Sequence, residues 1–323
     1  MSYVILKDIK ENLCRKLQRR RRDVESISAR GWNIDEVKIP SELSGILLPV
    51  NLLAYRYCST NRDVFLNRVR GIRQSPTWSS YQGRVIHEVL LKIMKSVRNY
   101  VSRPNVIRKM DLLKYARTRG RKLINKATQN IDQEIETFNT KPNTAQKEQF
   151  LKNLLKLVRM ESEVMSTLVD YAIATNIDIN LDSEFSRMFP FKQEISLNAT
   201  PLGLAPSIKP DFVYTPGEHM IIGEIKTGEA KEFHKIGVAA YAMAYEYEEE
   251  IPVNFGIILN VCFSRNRNVP IYRDSEAFVI SEKYRKAFLE LRDEKLNIIK
   301  NKIEPKKPTD QSLCNSCPYV NNC

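Results

Sequence analysis

Lys209-Pro210-Asp211-Phe212-Val213-Tyr214-Thr215-Pro216-Gly217-Glu218-His219-Met220-Ile221-Ile222-Gly223-Glu224-Ile225-Lys226 is the stretch on which the fold turns. Two apolar runs flank residues 215–218, whose Pro and Gly mark a turn, so the stretch reads as a β-hairpin. Side chains alternate along a strand. Glu224 and Lys226 therefore leave one face of the second strand, and Ile221, Gly223 and Ile225 leave the other. Pairing Tyr214 with His219 puts Asp211 opposite Ile222 and diagonal to Glu224 on the same face, with Cβ atoms roughly 7–8 Å apart or less. A slip of one residue would turn Asp211 to the opposite face.

Two carboxylates at that separation can share a hard divalent cation. The arrangement suits metal-assisted phosphodiester hydrolysis, with Asp211 and Glu224 holding one or two Mg²⁺ or Mn²⁺ ions that neutralise the phosphate and acidify a water. Lys226 would orient that water or balance the growing charge, and the Ile225 carbonyl is a further candidate ligand. By itself the Asp-x12-Glu-x-Lys spacing also describes an amphipathic edge strand with a surface ion pair.

Upstream, residues 79–101 carry Ile86, Leu90, Ile93 and Val97 at helical intervals, with Ser79 or Ser80 as cap. Gly83 and His87 share a face of that helix; glycine permits close approach of another backbone, and histidine can ligate a Mn²⁺-type ion. Downstream, a helix over residues 230–249 is rich in small residues from Gly237 to Tyr245, and its Tyr241 and Tyr245 share a face. Tyr241 could contact a phosphate or a base; on spacing alone, core packing is the better reading.

The chain is organised as a helical half followed by a mixed half. Helices occupy residues 105–175, broken near Gly120 and again over 139–143. The last of them spans residues 147–176, with Phe150, Leu154, Leu157 and Val158 on one side. From about residue 177 the texture changes to strands near 191–198, 210–214, 219–226, 253–262 and 277–280, with a final helix over 282–302. The last residues, 305–323, have no period and must be held by something other than packing. The fold class is α/β. Its segments are 1–60, a basic helical region 61–176, an α/β core 177–303 and a tail 304–323.

Composition narrows the function. The 323 residues include 51 Lys and Arg against 38 Asp and Glu, a net charge of +13, and 42% are apolar, enough for a sizeable core. Disorder, collagen and coiled coil fit poorly. No apolar run approaches the roughly 18 residues of a membrane span, and Asp8 and Glu11 interrupt the start, so no secretory signal and no membrane partner is expected, and the expected location is cytoplasmic. Residues 95–126 hold eleven basic side chains and one acid, Asp111, and residues 15–22 form a second basic cluster. Basic stripes attract phosphate backbones; a solvated helical face is the alternative.

The cysteines are Cys14, Cys58, Cys262, Cys314, Cys317 and Cys323. A Cys-x2-Cys turn presents two thiolates to one metal centre, Cys323 follows closely, and Cys58 is the candidate for a fourth ligand. Cys262 lies in an apolar strand, as a buried thiol would. Without a secretory signal, disulfides are disfavoured, which leaves four-cysteine zinc or a [4Fe–4S] cluster.

The ordered set of a lone Cys, Gly-x3-His, Asp, Glu-x-Lys, a Tyr-bearing helix and Cys-x2-Cys-x5-Cys resembles the RecB-like nucleases with a cysteine clamp. Within them it is similar to the CRISPR-associated exonucleases, in the longer variant of archaeal type I-A systems. The resemblance implies a restriction-endonuclease-like PD-(D/E)xK core, Mg²⁺ or Mn²⁺, a [4Fe–4S] cluster, and exonuclease activity on DNA, mainly single-stranded. It also implies a role in spacer acquisition alongside integration proteins. By position it makes His87, Asp211 and Glu224 metal ligands, Lys226 the catalytic lysine, and Cys58, Cys314, Cys317 and Cys323 the cluster ligands. Two positions depart from the pattern: Gly237 stands where the family helix carries Gln ahead of Tyr241, and Ile208 replaces a Gly three residues before Asp211. A DNA-binding subunit that cuts weakly, or a zinc-clipped scaffold, would keep the same outline.

Overall fold

The computed structural model describes residues 24, 26–54, 58–74, 76–102, 109–138, 141–175, 191–192, 195–215, 219–228, 231–263, 270–273, 277–310, 314 and 317–323. Cys14, the basic cluster 15–22, the expected turn residues 216–218 and the expected helix end at Asn176 lie outside them. The helices are α1 (Ile34–Val37), α2 (Val50–Ala54), α3 (Arg62–Val64), α4 (Trp78–Val101), α5 (Lys109–Thr128), α6 (Ile131–Ile135), α7 (Thr144–Thr175), α8 (Glu232–Glu249) and α9 (Glu282–Asn301). The strands are β1 (Phe191–Lys192), β2 (Phe212–Tyr214), β3 (Ile221–Lys226), β4 (Phe255–Phe263), β5 (Pro270–Arg273) and β6 (Ala277–Val279). The α/β expectation holds.

The described strands form one mixed sheet in the order β1-β2-β3-β4-β5, with β6 also on β4. β2 and β3 are antiparallel. β3 and β4 are parallel, so the chain must cross over between them, and α8 makes that crossing. Two cores lie on opposite faces. Phe212, Tyr214, Ile221, Ile225, Ile257 and Leu259 pack with α4, α5 and α7, whereas Val213, Ile222 and Ile258 pack with α8, α9 and residues 29–53. Because β3 is covered on both faces it reads as a continuous apolar run, and only Glu224 and Lys226 at its C-terminal end break that run.

Several local expectations are corrected. The expected register was Tyr214 with His219; Tyr214 pairs with Ile221 and Phe212 with Gly223, which brings Asp211 level with Glu224 rather than diagonal to it. The ring of Phe212 fills the space over Gly223, where any Cβ would overlap it, and this packing sets the register. The cap of α4 is Thr77, not Ser79 or Ser80: the Thr77 hydroxyl accepts from the Ser80 amide at 3.1 Å, and Ser80 Oγ returns the bond to the Thr77 amide at 3.0 Å. Gly120 does not break a helix. It lies inside α5, where α5 crosses α7 so closely that a Cβ would overlap Val158. The break after residue 138 is real, and Asn143 and Gln146 cap α7 reciprocally at 2.8 and 2.9 Å. Around 191–198 the described residues form β1 and a separate Leu197–Ile208 bridge, and β5 went unread in the sequence.

The N-terminal segment is fixed to the core by buried charges. Glu246 of α8 is fully buried and accepts from Arg30 at 2.7 Å, the Gly31 amide at 2.9 Å, the Val253 amide at 3.0 Å and Arg285 of α9 at 2.6 and 2.9 Å. Two and nearly three turns along α9 from Arg285, Arg292 donates to the Val37 carbonyl at 2.6 Å and Lys295 to the Leu52 and Leu53 carbonyls at 2.8 and 3.0 Å. Those last two are orphan carbonyls at the end of α2, where a cation also complements the helix dipole.

Candidate active site at the end of strand β3

The C-terminal end of β3 is where polar chemistry enters an apolar sheet. Glu224 and Lys226 stand on the α8 side with Val213 and Ile222, as alternation requires. Asp211 joins them from the start of β2. Its Oδ2 accepts the Ile225 amide at 2.7 Å, a bond that ties the carboxylate to the neighbouring strand, and its Oδ1 lies 3.3 Å from His87 Nδ1. His87 comes from α4, whose apolar face belongs to the other core. The helix comes close to the strand end at Gly83, one turn earlier, where a Cβ would lie 3.1 Å from the Thr227 hydroxyl and that side chain would have to give way slightly.

Glu224 and Lys226 form an ion pair with each other. The four side chains are mostly desolvated but open: 17% exposed for Glu224, 14% for Lys226, 20% for Asp211 and 27% for His87. Burial pushes the Glu224 carboxyl above the usual carboxylate range. The Asp211 charge adds to that rise, while Lys226 and His87 oppose it. So Asp211, Lys226 and His87 all act electrostatically on Glu224, as groups sharing one site do. Ile225 enters through its backbone alone, its side chain being buried in the core. As they stand, no three His, Cys, Asp or Glu side chains among the described residues are drawn closely enough together to hold a metal ion, and Glu224 is turned to Lys226.

Two residues escaped the sequence reading. His234, in the first turn of α8, is buried, and desolvation together with the charges of Lys226 and Lys231 lowers its pKa to about 4. Its Nδ1 accepts the Lys231 amide at 3.1 Å, so the ring is neutral with its proton on Nε2. Thr227 is the second. The only signal for either was its position, just after the Glu-x-Lys strand. Tyr241, two turns beyond His234, packs half-buried against the core of that face, and Gly237 is buried on the same helix.

The tail converges on residues 58–66. Tyr319 is buried with Phe65 and Leu66, and Cys317 and Cys323 pack against that cluster. Arg62 and Arg70 pair with Glu304, and Arg62 also donates to the Pro305 carbonyl at 2.6 Å. Packing therefore does hold part of the tail, against expectation. The Cys317 amide donates to the Cys314 carbonyl at 3.0 Å, closing the Cys-x2-Cys turn. Burial raises the Cys317 thiol, and charge on Asp63, Cys58 and Cys314 would raise it further, so these groups are neighbours. Asp63 is buried, and desolvation pushes its carboxyl up while the charge of Lys295 opposes the rise. Cys262 lies half-buried on β4, apart from this group in the fold.

Comparison with known proteins gives the family. Residues 3–323 match the family model described as "CRISPR-associated exonuclease Csa1". A protein of that name from Thermoproteus tenax is 26% identical over 299 residues, covering 91% of this chain and 90% of its own. Another from Saccharolobus solfataricus is 24% identical over 277 residues, 85% of each chain. No helix among the described residues is long and apolar enough to cross a membrane. The match spans the helical region, the strand-end site and the cysteine tail alike, and the chain belongs to the CRISPR-associated exonuclease Csa1 family.

Proposed function

We propose that the chain is a metal-dependent deoxyribonuclease of a CRISPR system, acting as an exonuclease mainly on single-stranded DNA during spacer acquisition, with integration proteins as partners. The observation that carries this is the meeting of His87, Asp211, Glu224 and Lys226 at the end of β3. The names of the relatives support the exonuclease reading. A hairpin, a crossover helix and a parallel strand with acidic residues at the strand end support a restriction-endonuclease-like PD-(D/E)xK core.

His87, Asp211, Glu224 and the Ile225 carbonyl would hold Mg²⁺ or Mn²⁺. A divalent ion there neutralises the scissile phosphate and lowers the pKa of water. The residues themselves do the rest. The Ile225 amide fixes the Asp211 carboxylate, Glu224 would be a ligand once freed from its ion pair, and the Lys226 ammonium would balance charge growing on the phosphate. Cys58, Cys314, Cys317 and Cys323 would hold a [4Fe–4S] cluster. Their soft thiol donors, the packing of Cys317 and Cys323 beside Phe65 and Tyr319, and the electrostatic influence of Cys58 and Cys314 on Cys317 favour that role, which is to clip the tail to residue 58.

The test is cleavage of an end-labelled single strand with Mn²⁺ or Mg²⁺. Wild type should release nucleotides and the Asp211→Ala/Lys226→Ala double variant should not; equal cleavage by both overturns the proposal. A second reading, a DNA-binding subunit with weak turnover, is favoured by one observation, the buried Gly237 in place of a side chain that could reach the strand. Salt-sensitive binding without metal-stimulated cleavage would select it.

A further inference from the structure

Away from the strand end, α4 and α5 border an open surface cavity of about 420 Å³ lined by Tyr100, Asp111, Lys114, Tyr115, Arg119 and Lys122. Three cations face one carboxylate there. The rings of Tyr100 and Tyr115 stack with centroids 4.1 Å apart and planes 19° from parallel. Both sides of the cavity are braced by Ser96: the Tyr115 hydroxyl donates to its carbonyl at 3.4 Å, and Arg119 Nε donates to its hydroxyl at 3.2 Å. The brace holds an aromatic pair and a guanidinium in fixed relation at the surface. Tyr100 also packs against the core, whereas Lys114, Arg119 and Lys122 are all exposed.

We propose that this cavity binds a single-stranded polynucleotide, with Lys114, Arg119 and Lys122 on the phosphate backbone and an unpaired base against the outer face of the tyrosine pair. A basic groove with an aromatic platform is the sequence-tolerant way to hold a single strand; a duplex offers no open base face to such a platform. Thirteen residues of α4 separate His87 from Tyr100, about 20 Å along the helix axis, so the cavity is separate from the strand-end site. The cavity would thus give the substrate a second attachment upstream of the hydrolytic residues. This deepens the proposed function, yet binding can be measured without metal, so the two readings fail separately.

The experiment is fluorescence anisotropy of a labelled dT oligomer of about twelve nucleotides, with and without an rU counterpart, in EDTA across a salt series. The Lys114→Gln/Arg119→Gln/Lys122→Gln variant should bind more weakly, with the salt slope reduced by about 2. Tyr115→Leu should weaken binding about tenfold with little change of slope, and Asp111→Asn should tighten it. Cleavage, read separately with Mn²⁺, reports the strand-end site alone. Losses on both polymers assign the site to the shared backbone chemistry, and losses on dT alone assign it to DNA. A folded triple variant with unchanged affinity and slope overturns the proposal. If the triple variant melts early, Lys114→Gln and Lys122→Gln singly, both at exposed positions, should each lower the slope by about 0.7, and an unchanged slope in both also overturns it.

Discussion

Asp211 does two things with one carboxylate: Oδ2 takes the Ile225 amide and so fixes β2 against β3, while Oδ1 faces the imidazole of a helix from the other layer. Losing it would disturb geometry as well as charge. His234 gives a cleaner probe, because burial keeps it neutral with a pKa of about 4. Unfolded histidine binds its proton near pH 6.5, so between those values the unfolded chain holds more protons and stability falls as pH falls. Denaturant unfolding should show up to ~3 kcal/mol lost between pH 7 and pH 4 from this group, and His234→Asn should flatten that part of the profile. A slope identical to wild type would mean the ring is solvated. At this scale the sequence showed most of the site. Side-chain alternation put Asp211, Glu224 and Lys226 on one face, and the register error was two residues, an even slip that preserves the face. His234 stayed hidden because a lone histidine at a helix start looks the same whether it faces solvent or a lysine.

Among the elements, α9 shows how far burial can depart from composition. Arg285, Arg292 and Lys295 occupy its inner face alongside Phe288, Leu291 and Leu296, each spending its charge on carbonyls or Glu246 of other segments. Truncating one member of a buried network leaves the others unpaired. Glu246→Ala should therefore cost about 3–5 kcal/mol in denaturant unfolding, far more than Glu248→Ala on the open side of the same helix, and similar losses at the two positions would contradict the network. The periodic apolar residues of α4, α7 and α8 made those helices legible. Gly120 misled because a helix interior and a helix break both use glycine, and only the partner helix, with Val158 in the way of a Cβ, distinguishes them. β5 was missed because its short stretch begins with Pro270, a poor strand signal in isolation.

Over the whole molecule, residues 29–53 close the core from the N-terminal side and the tail returns to residues 58–66, so the chain is fastened at both ends of its α/β body. Arg62 and Arg70 on Glu304, with Tyr319 beneath them, supply part of the fastening. The cysteines would supply the rest. Anaerobically purified protein should show broad visible absorbance, and Cys58→Ser should remove it and lower the melting temperature by several degrees. A colourless protein carrying stoichiometric zinc would replace the cluster with a four-thiolate zinc clip. The cysteine spacing was plain in the sequence, whereas the buried Asp63 beside the thiols was not, since nothing local marks a carboxylate for burial. The central claim is that the strand-end carboxylates and lysine form one hydrolytic unit, and the most direct test is the single-turnover rate of Mn²⁺-supported cleavage of a single strand. The wild-type rate should fall at least ~10³-fold in Asp211→Ala and in Lys226→Ala. Comparable rates in wild type and either variant would contradict it.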